Sequence, residues 1–214
     1  MNKIIKNTLI LFAITLVAGF GLGFVYNVTS DARAKQEEKT KLEAYKSVMN
    51  QMESFDEVVI DSTKAADYIK NLVKKNESDN NISTIKAFNA DIDNVILAKD
   101  SSGNELGYIV TVTDNEAYDG SLQMTVGVKK DGTVTGISFL SLSETPGLGM
   151  KAKDDYFKNQ FNNKKADFFE YKKSGATADN EINAISSATI TSNAVTHGVN
   201  AAVYCVKYIV GGGK

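Results

Sequence analysis

Leu122-Gln123-Met124-Thr125-Val126-Gly127-Val128, then Lys130-Asp131-Gly132, then Val134-Thr135-Gly136-Ile137-Ser138-Phe139-Leu140 reads as two strands and the turn that joins them. The first run alternates apolar and polar residues with the period of a half-buried strand. Asp-Gly between two such runs is a strong hairpin signal. Upstream, Gly107-Tyr108-Ile109-Val110-Thr111-Val112-Thr113 is rich in β-branched residues, and Val95-Ile96-Leu97-Ala98 precedes it across the turn Asp100-Ser101-Ser102-Gly103-Asn104. Helical patterns lie on both sides of these strands. Leu42, Tyr45, Val48, Met49 and Met52 recur at helical spacing in a charged stretch that reads as a stalk. Asp61 or Ser62 caps a helix through Ala65, Ala66, Tyr68, Ile69, Leu72 and Val73, and the polar run from Lys74 to Ser83 reads as an exposed loop. Asp154 to Phe161 is a short amphipathic helix, and Asn193 to Tyr204 a longer apolar one. The expected fold is α+β, an antiparallel sheet flanked by helices.

No charged residue falls between Lys6 and Asp31. An apolar run of that length crosses a hydrocarbon core of ~30 Å as a helix. Lys3 and Lys6 on the short leading tail place the N-terminus in the cytoplasm and the main domain outside it, and Arg33 and Lys35 on the other flank weaken that bias without reversing it. The other reading is a cleaved signal peptide, for which Ala32-Arg33-Ala34 is a loose cleavage site, but the apolar region exceeds the usual length of ~7–15 residues. Gly19 and Gly23 stand at the spacing that lets a second helix approach, although glycine is common in membrane helices anyway.

A net charge of −2 supplies no basic face for nucleic acid. One cysteine, Cys205, excludes an internal disulfide framework and any multi-thiolate metal site in this chain; one histidine, His197, excludes a histidine-rich metal centre. Neither GxGxxG nor a P-loop is present. Redox chemistry, if the chain performs any, therefore needs an added organic cofactor or a partner's carrier.

Two short stretches carry the functional signal. Ile185-Ser186-Ser187-Ala188-Thr189-Ile190-Thr191-Ser192 leads into the helix at Asn193. Hydroxyls and free amides at a helix start suit a phosphate, and equally they are ordinary caps. Ser143-Glu144-Thr145-Pro146-Gly147-Leu148-Gly149 contains the chain's only proline. Pro-Gly suits a type II turn, with φ fixed by proline and positive at glycine.

Together these strings resemble the two motifs of the FMN-binding domain found in the G subunit of the Rnf complex and in the C subunit of the sodium-pumping NADH:quinone reductase. The resemblance covers nearly the whole chain. It implies a cytoplasmic tail at 1–6, a transmembrane helix at 7–29, a helical stalk and linker at 30–83 and an FMN-binding domain at 84–214. It implies that Thr189, after Ala188, carries FMN through a phosphoester placed by a separate flavin transferase. Ser186, Ser187, Thr191 and Ser192 would then solvate the phosphodiester. Leu148 would pack on the isoalloxazine ring, Thr145 and the amides around Gly147 would bond its polar edge, and Glu144 would either orient the loop or influence the ring's charge. His197 is read as a packing or surface residue rather than a proton donor, and Cys205 as inert packing.

Three positions depart from the family pattern. Asn183 stands where Asp is usual. Ser187 stands where Gly is usual, at little cost if its φ is negative. The glycine-rich approach near Tyr118 is reduced to Asp119-Gly120. Ser174-Gly175-Ala176-Thr177 imitates the flavinylation string, but no apolar helix follows it, so it reads as a surface loop. The implied function is that of a single-pass membrane protein relaying electrons through covalent FMN, with the other Rnf subunits as partners, in a complex that couples ferredoxin:NAD electron flow to sodium or proton export. The corresponding C subunit of the quinone reductase, and a membrane-anchored binding protein without flavin, are the alternatives.

Overall fold

The computed structural model describes residues 2–80, 89–173 and 175–213. The chain divides into two units, Met1–Leu42 and Glu43–Lys214. The first is helical. It belongs to α1 (Lys3–Val48), whose apolar stretch is long enough to cross a membrane. Its hydroxyls turn back on the helix: Thr8, Thr15 and Thr29 donate to the carbonyls of Ile4, Phe12 and Val25, which hides them from an apolar surrounding. The Arg33 guanidinium lies 4.3 Å from the centre of the Tyr26 ring.

The second unit is built on an antiparallel meander. Its six strands lie in chain order: β1 (Ser54–Glu57), β2 (Ala90–Lys99), β3 (Glu105–Ala117), β4 (Gly120–Val128), β5 (Thr133–Leu142) and β6 (Lys164–Lys165). The β4–β5 hairpin turns where Asp-Gly places it. Gly132 has φ 88, its N–H donates to Lys129, and Thr133 N–H donates to Asp131 Oδ1 at 3.0 Å. Successive side chains point to opposite faces of the sheet. One face packs Ile96, Ala98 and Ile109 against Tyr45, Val48, Met49 and Met52, so residues that read as the apolar punctuation of a stalk form a second small core. The other face carries the main core, in which Val110, Val112, Met124 and Val126 meet α4 (Thr189–Val210). α4 comes close because Gly198 has no side chain; a Cβ there would collide with the Met124 methyl.

α2 (Ser62–Asn80) is capped by Asp61, whose Oδ1 accepts from Thr63 and Lys64 N–H at 3.1 Å each. It runs past the expected loop start at Lys74, because Asn76 Nδ2 donates to Tyr204 Oη at 2.6 Å and ties that turn to α4. Residues 81–83 of the expected loop lie outside the described residues. The expected helix from Asp154 to Phe161 is one turn of α-helix, α3 (Asp155–Lys158), followed by a 3-10 turn (Asn159–Phe161), with Phe157 and Phe161 buried edge to face. A parallel pair that the sequence did not announce, β7 (Glu170–Lys172) and β8 (Glu181–Asn183), leads into the approach to α4.

Candidate functional site

The loop after β5 and the approach to α4 close on one another. In the first, Leu148 N–H donates to Thr145 O at 3.1 Å across Pro146-Gly147, and Gly147 has φ 80. This is the type II turn the two residues dictate. In the second, α4 begins at Thr189 and not at Asn193, so Thr189, Thr191 and Ser192 lie inside its first turn. Ser192 accounts for the earlier start. Its hydroxyl accepts Ile185 N–H and donates to Ala188 O, both at 2.9 Å, and so staples the approach segment to the first turn. Ala188 is the N-cap and offers no side-chain acceptor. The N–H groups of Thr189, Ile190 and Thr191 thus have no intrahelical partner, and the positive end of a 22-residue helix stays open.

Glu144 joins the two loops. Its Oε1 accepts from Tyr118 N–H and from Thr191 Oγ1, each at 3.0 Å, and the carboxylate is buried. Of the two roles open to Glu144, the geometry supplies the orienting one. Gly149 leaves the room: a Cβ there would stand 2.5 Å from Glu144 Oε2 and 2.6 Å from Thr191 Oγ1. Around this clasp opens a cavity of about 500 Å³, within the usual size range of small-ligand sites. Leu148, Ala188, Ile190 and Tyr118 form its apolar walls, with Thr145, Ser187 and Thr189 among the polar lining. None of the described residues lining it is basic, so an anion here relies on the helix amides.

Several expectations for individual residues change. Thr191 and Ser192 hydroxyls are both buried and already engaged, Thr191 with Glu144 and Ser192 with its own turn, and of the two Thr191 lines the cavity. Ser187 has φ 61, the region that favours glycine, so the condition under which serine costs little there is not met. Ser186 and Gly147 do not line the cavity, and Ser186 is exposed. Tyr118, Gly149 and Ile190 do line it and were missed. The sequence signals for two of them were the position before Asp119-Gly120 and the last letter of the Pro-Gly string.

The imitating string is locked elsewhere. Glu181 Oε2 accepts from Thr177 N–H, Thr177 Oγ1 and Ala178 N–H at 2.7–3.1 Å, and backbone hydrogen bonding from Thr177 and Ala178 holds the Glu181 carboxyl at about 2. Ser174 lies outside the described residues. Asn183 Oδ1 accepts Ala176 N–H at 2.7 Å, and its backbone N–H donates to Gln160 Oε1 at 2.7 Å. Cys205 is buried and burial pushes its thiol up to about 12, which leaves it unreactive. His197 is an interior residue of α4, 3.5 Å from Glu116 Oε2 through Nδ1.

A helix start with open amides, a half-buried threonine at its first residue and an apolar-walled cavity beside it stand together here. Residues 117–204 match the FMN-binding domain family. Over 203 residues the chain is 32% identical to the G subunit of the Na(+)-translocating ferredoxin:NAD(+) oxidoreductase complex of Acetobacterium woodii, covering 94% of this chain and 90% of that protein. It is 42% identical over 110 residues to the G subunit of the proton-translocating ferredoxin:NAD(+) oxidoreductase complex of Clostridium ljungdahlii, covering 51% of this chain and 59% of that protein. The crystal structure of the C subunit of the Na(+)-translocating NADH-quinone reductase from Parabacteroides distasonis overlaps 54% of this chain and 60% of its own at 27% identity and a TM-score of 0.45. The chain belongs to the G-subunit family of ion-translocating ferredoxin:NAD(+) oxidoreductase complexes.

Proposed function

We propose that this chain is a membrane-anchored electron-transfer subunit of an Rnf-type complex, carrying FMN on Thr189 through a phosphoester. The observation that carries the reading is the placement of Thr189 at the uncapped start of α4, opening on a cavity that the Pro146-Gly147 loop walls. A bound flavin supplies one- and two-electron chemistry that no side chain of this protein can perform. The chain's own residues do the rest. Thr189 gives the ester oxygen once, during maturation: its Oγ–P bond forms as the pyrophosphate bond of FAD breaks, AMP leaves, and the hydroxyl proton passes to a base of the flavin transferase. The amides of Thr189 and Ile190 face the remaining phosphate charge, Leu148 and Tyr118 flank the ring's space, and Glu144 fixes both loops. By the positive-inside rule Lys3 and Lys6 keep the N-terminus cytoplasmic, which puts the flavin on the outer face among the other subunits of the complex.

The test is in-gel flavin fluorescence after denaturing electrophoresis, with the chain co-expressed with a flavin transferase as wild type, Thr189→Ala and Thr177→Ala. Fluorescence lost in Thr189→Ala alone supports the reading. Loss in Thr177→Ala alone moves the site to the other string. A dark wild-type band beside a labelled control substrate favours a membrane-anchored binding protein without flavin.

A further inference from the structure

Along α4 from the cavity, the helix and β3 enclose three ionisable side chains that flavin attachment does not use. His197 is 1% exposed and its Nδ1 lies 3.5 Å from Glu116 Oε2. Two residues back on β3, Asp114 is 0% exposed. Its Oδ1 accepts Glu116 N–H at 2.9 Å, and its Oδ2 has no hydrogen-bond partner among the described residues. With both carboxylates ionised and the imidazole neutral, two like charges share a low-dielectric interior, which is costly. One added proton relieves this, either by setting imidazolium against Glu116 or by neutralising Asp114. Burial first, then the charges of Glu116 and Asp91, push the Asp114 carboxyl up to about 7.

Two stretches of chain connect the cluster to the cavity, which none of its three residues lines. Glu116 is two residues from Tyr118, which walls it. Thr189, Asn193 and His197 recur every four residues on one face of α4, and Asn193 Oδ1 is buried without a partner among the described residues. His197 stands about 12 Å along the axis from Thr189. The Glu116 side chain is 26% exposed although its Oε2 is buried, so water meets the edge of the cluster through the rest of that side chain. On the elements packed against α4, β3 carries Asp114 and Glu116 with Glu105 and Tyr108 nearer its start, β2 carries Asp91 and Asp93 with Lys99 at its end, and β4 has no titratable residue. Lys151 and Lys153 on the 3-10 turn Gly149–Lys153 are exposed, and Lys172 on β7 pairs with Glu170 and Glu181. α2 meets the far end of α4, where Tyr68 stacks on Tyr208 and Asn76 bonds Tyr204.

We propose that Asp114, Glu116 and His197 form a buried proton-holding site that takes up a proton from water when negative charge arrives in the cavity at the start of α4. The second half of this rests on the flavin reading above. An electron from a reduced one-electron donor, which is thereby oxidised, adds one negative charge at the cavity. One proton moves from water to the cluster: a water O–H bond breaks, an N–H or O–H bond of the cluster forms, and the hydroxide left behind is neutralised by buffer acid.

His197 is the only histidine in the chain, so full-length protein with 13C-labelled imidazole, in detergent micelles, gives one titrating resonance. In the unflavinylated chain, titration between about pH 5 and 9 is expected to show two inflections. Asp114→Asn removes one of them, and Glu116→Gln lowers the proton affinity of the other by about tenfold or more. A single-step wild-type curve, or one that neither substitution moves, overturns the site; the wild-type curve decides even if a variant does not fold. In the fluorescent, flavin-loaded chain, dithionite reduction is expected to raise the proton affinity by about tenfold. An unchanged curve on reduction overturns the coupling and leaves the site. Failure to load flavin overturns the earlier reading and the coupling together, while the bare chain still decides the proton site.

Discussion

Gly149→Ala tests the clasp that joins the two loops. The new methyl would sit 2.5 Å from Glu144 Oε2 and 2.7 Å from Glu144 Cδ, 0.9 Å and 0.7 Å short of the 3.4 Å at which ordinary contact begins. It would also sit 2.6 Å from Thr191 Oγ1. Glu144 cannot retreat that far and keep both 3.0 Å hydrogen bonds that its Oε1 accepts, from Tyr118 N–H and from Thr191 Oγ1. Losing one hydrogen bond to a charged group costs ~1.5–3 kcal/mol, and overpacking adds ~1–3 kcal/mol. The stiffer unfolded chain of an alanine variant returns ~0.4–1 kcal/mol. The net is a destabilisation of about 3 kcal/mol, or a fall in Tm of about 6–12 °C for a domain of this size. Near-UV circular dichroism melts of the full chain in detergent measure it, and in-gel fluorescence is expected to fall in parallel as Tyr118 and Thr191 leave their places. Thr191→Val deletes part of the same clasp, so the double variant should cost at least about 1 kcal/mol less than the two single costs together. A Gly149→Ala protein within about 0.5 kcal/mol of wild type, or strict additivity with Thr191→Val, refutes the reasoning.

Ser187→Gly relieves a residue held at φ 61 and is expected to stabilise by roughly 0.5–1 kcal/mol, whereas Ser187→Ala keeps the strain and does not; thermal melts of the two variants side by side decide it. Asn183→Asp keeps the acceptor for Ala176 N–H with added charge, so stability holds within about 1 kcal/mol; the rate of flavin incorporation is expected to rise, and a lower yield by in-gel fluorescence counts against the motif. Asp114 binds its proton up to about pH 7 in the fold against 3.8 in the unfolded reference. The folded state therefore holds more protons across that window, and stability falls as pH rises through it, by at most about 4 kcal/mol. Denaturant titrations should show that fall markedly reduced in Asp114→Asn.

The strands β3, β4 and β5 were legible because their alternation and the Asp131-Gly132 turn are local properties. β1 was not: Ser54-Phe55-Asp56-Glu57 is exposed at all four positions and is a strand only because β2 pairs with it. The start of α4 was misplaced by four residues because its fixing contact, the Ser192 hydroxyl with Ile185 and Ala188, depends on the folded approach segment. Thr189 and the Pro-Gly loop were readable as strings. That Thr191 belongs to Glu144, 47 positions away, was not readable from either string, because a tertiary contact assigns it. Tyr118 and the Glu116–His197 pair were hidden for the same reason: each gains its meaning from the packing of α4 on β3.

The two margins of the meander carry a further consequence. A membrane segment confines copies of a protein to two dimensions, where chance encounters between sheet edges multiply. Here the outermost strands are the four-residue β1, carrying Asp56 and Glu57 and paired to Ile96–Lys99 of β2, and the two-residue β6, Lys164 and Lys165, paired to Thr133 and Val134 of β5. Short, charged margins offer a passing strand too few unpaired amides to dock upon. At these two ends the sheet therefore carries its own protection against edge-to-edge association, and a passing copy on the same membrane face is expected to find no long strand to extend there.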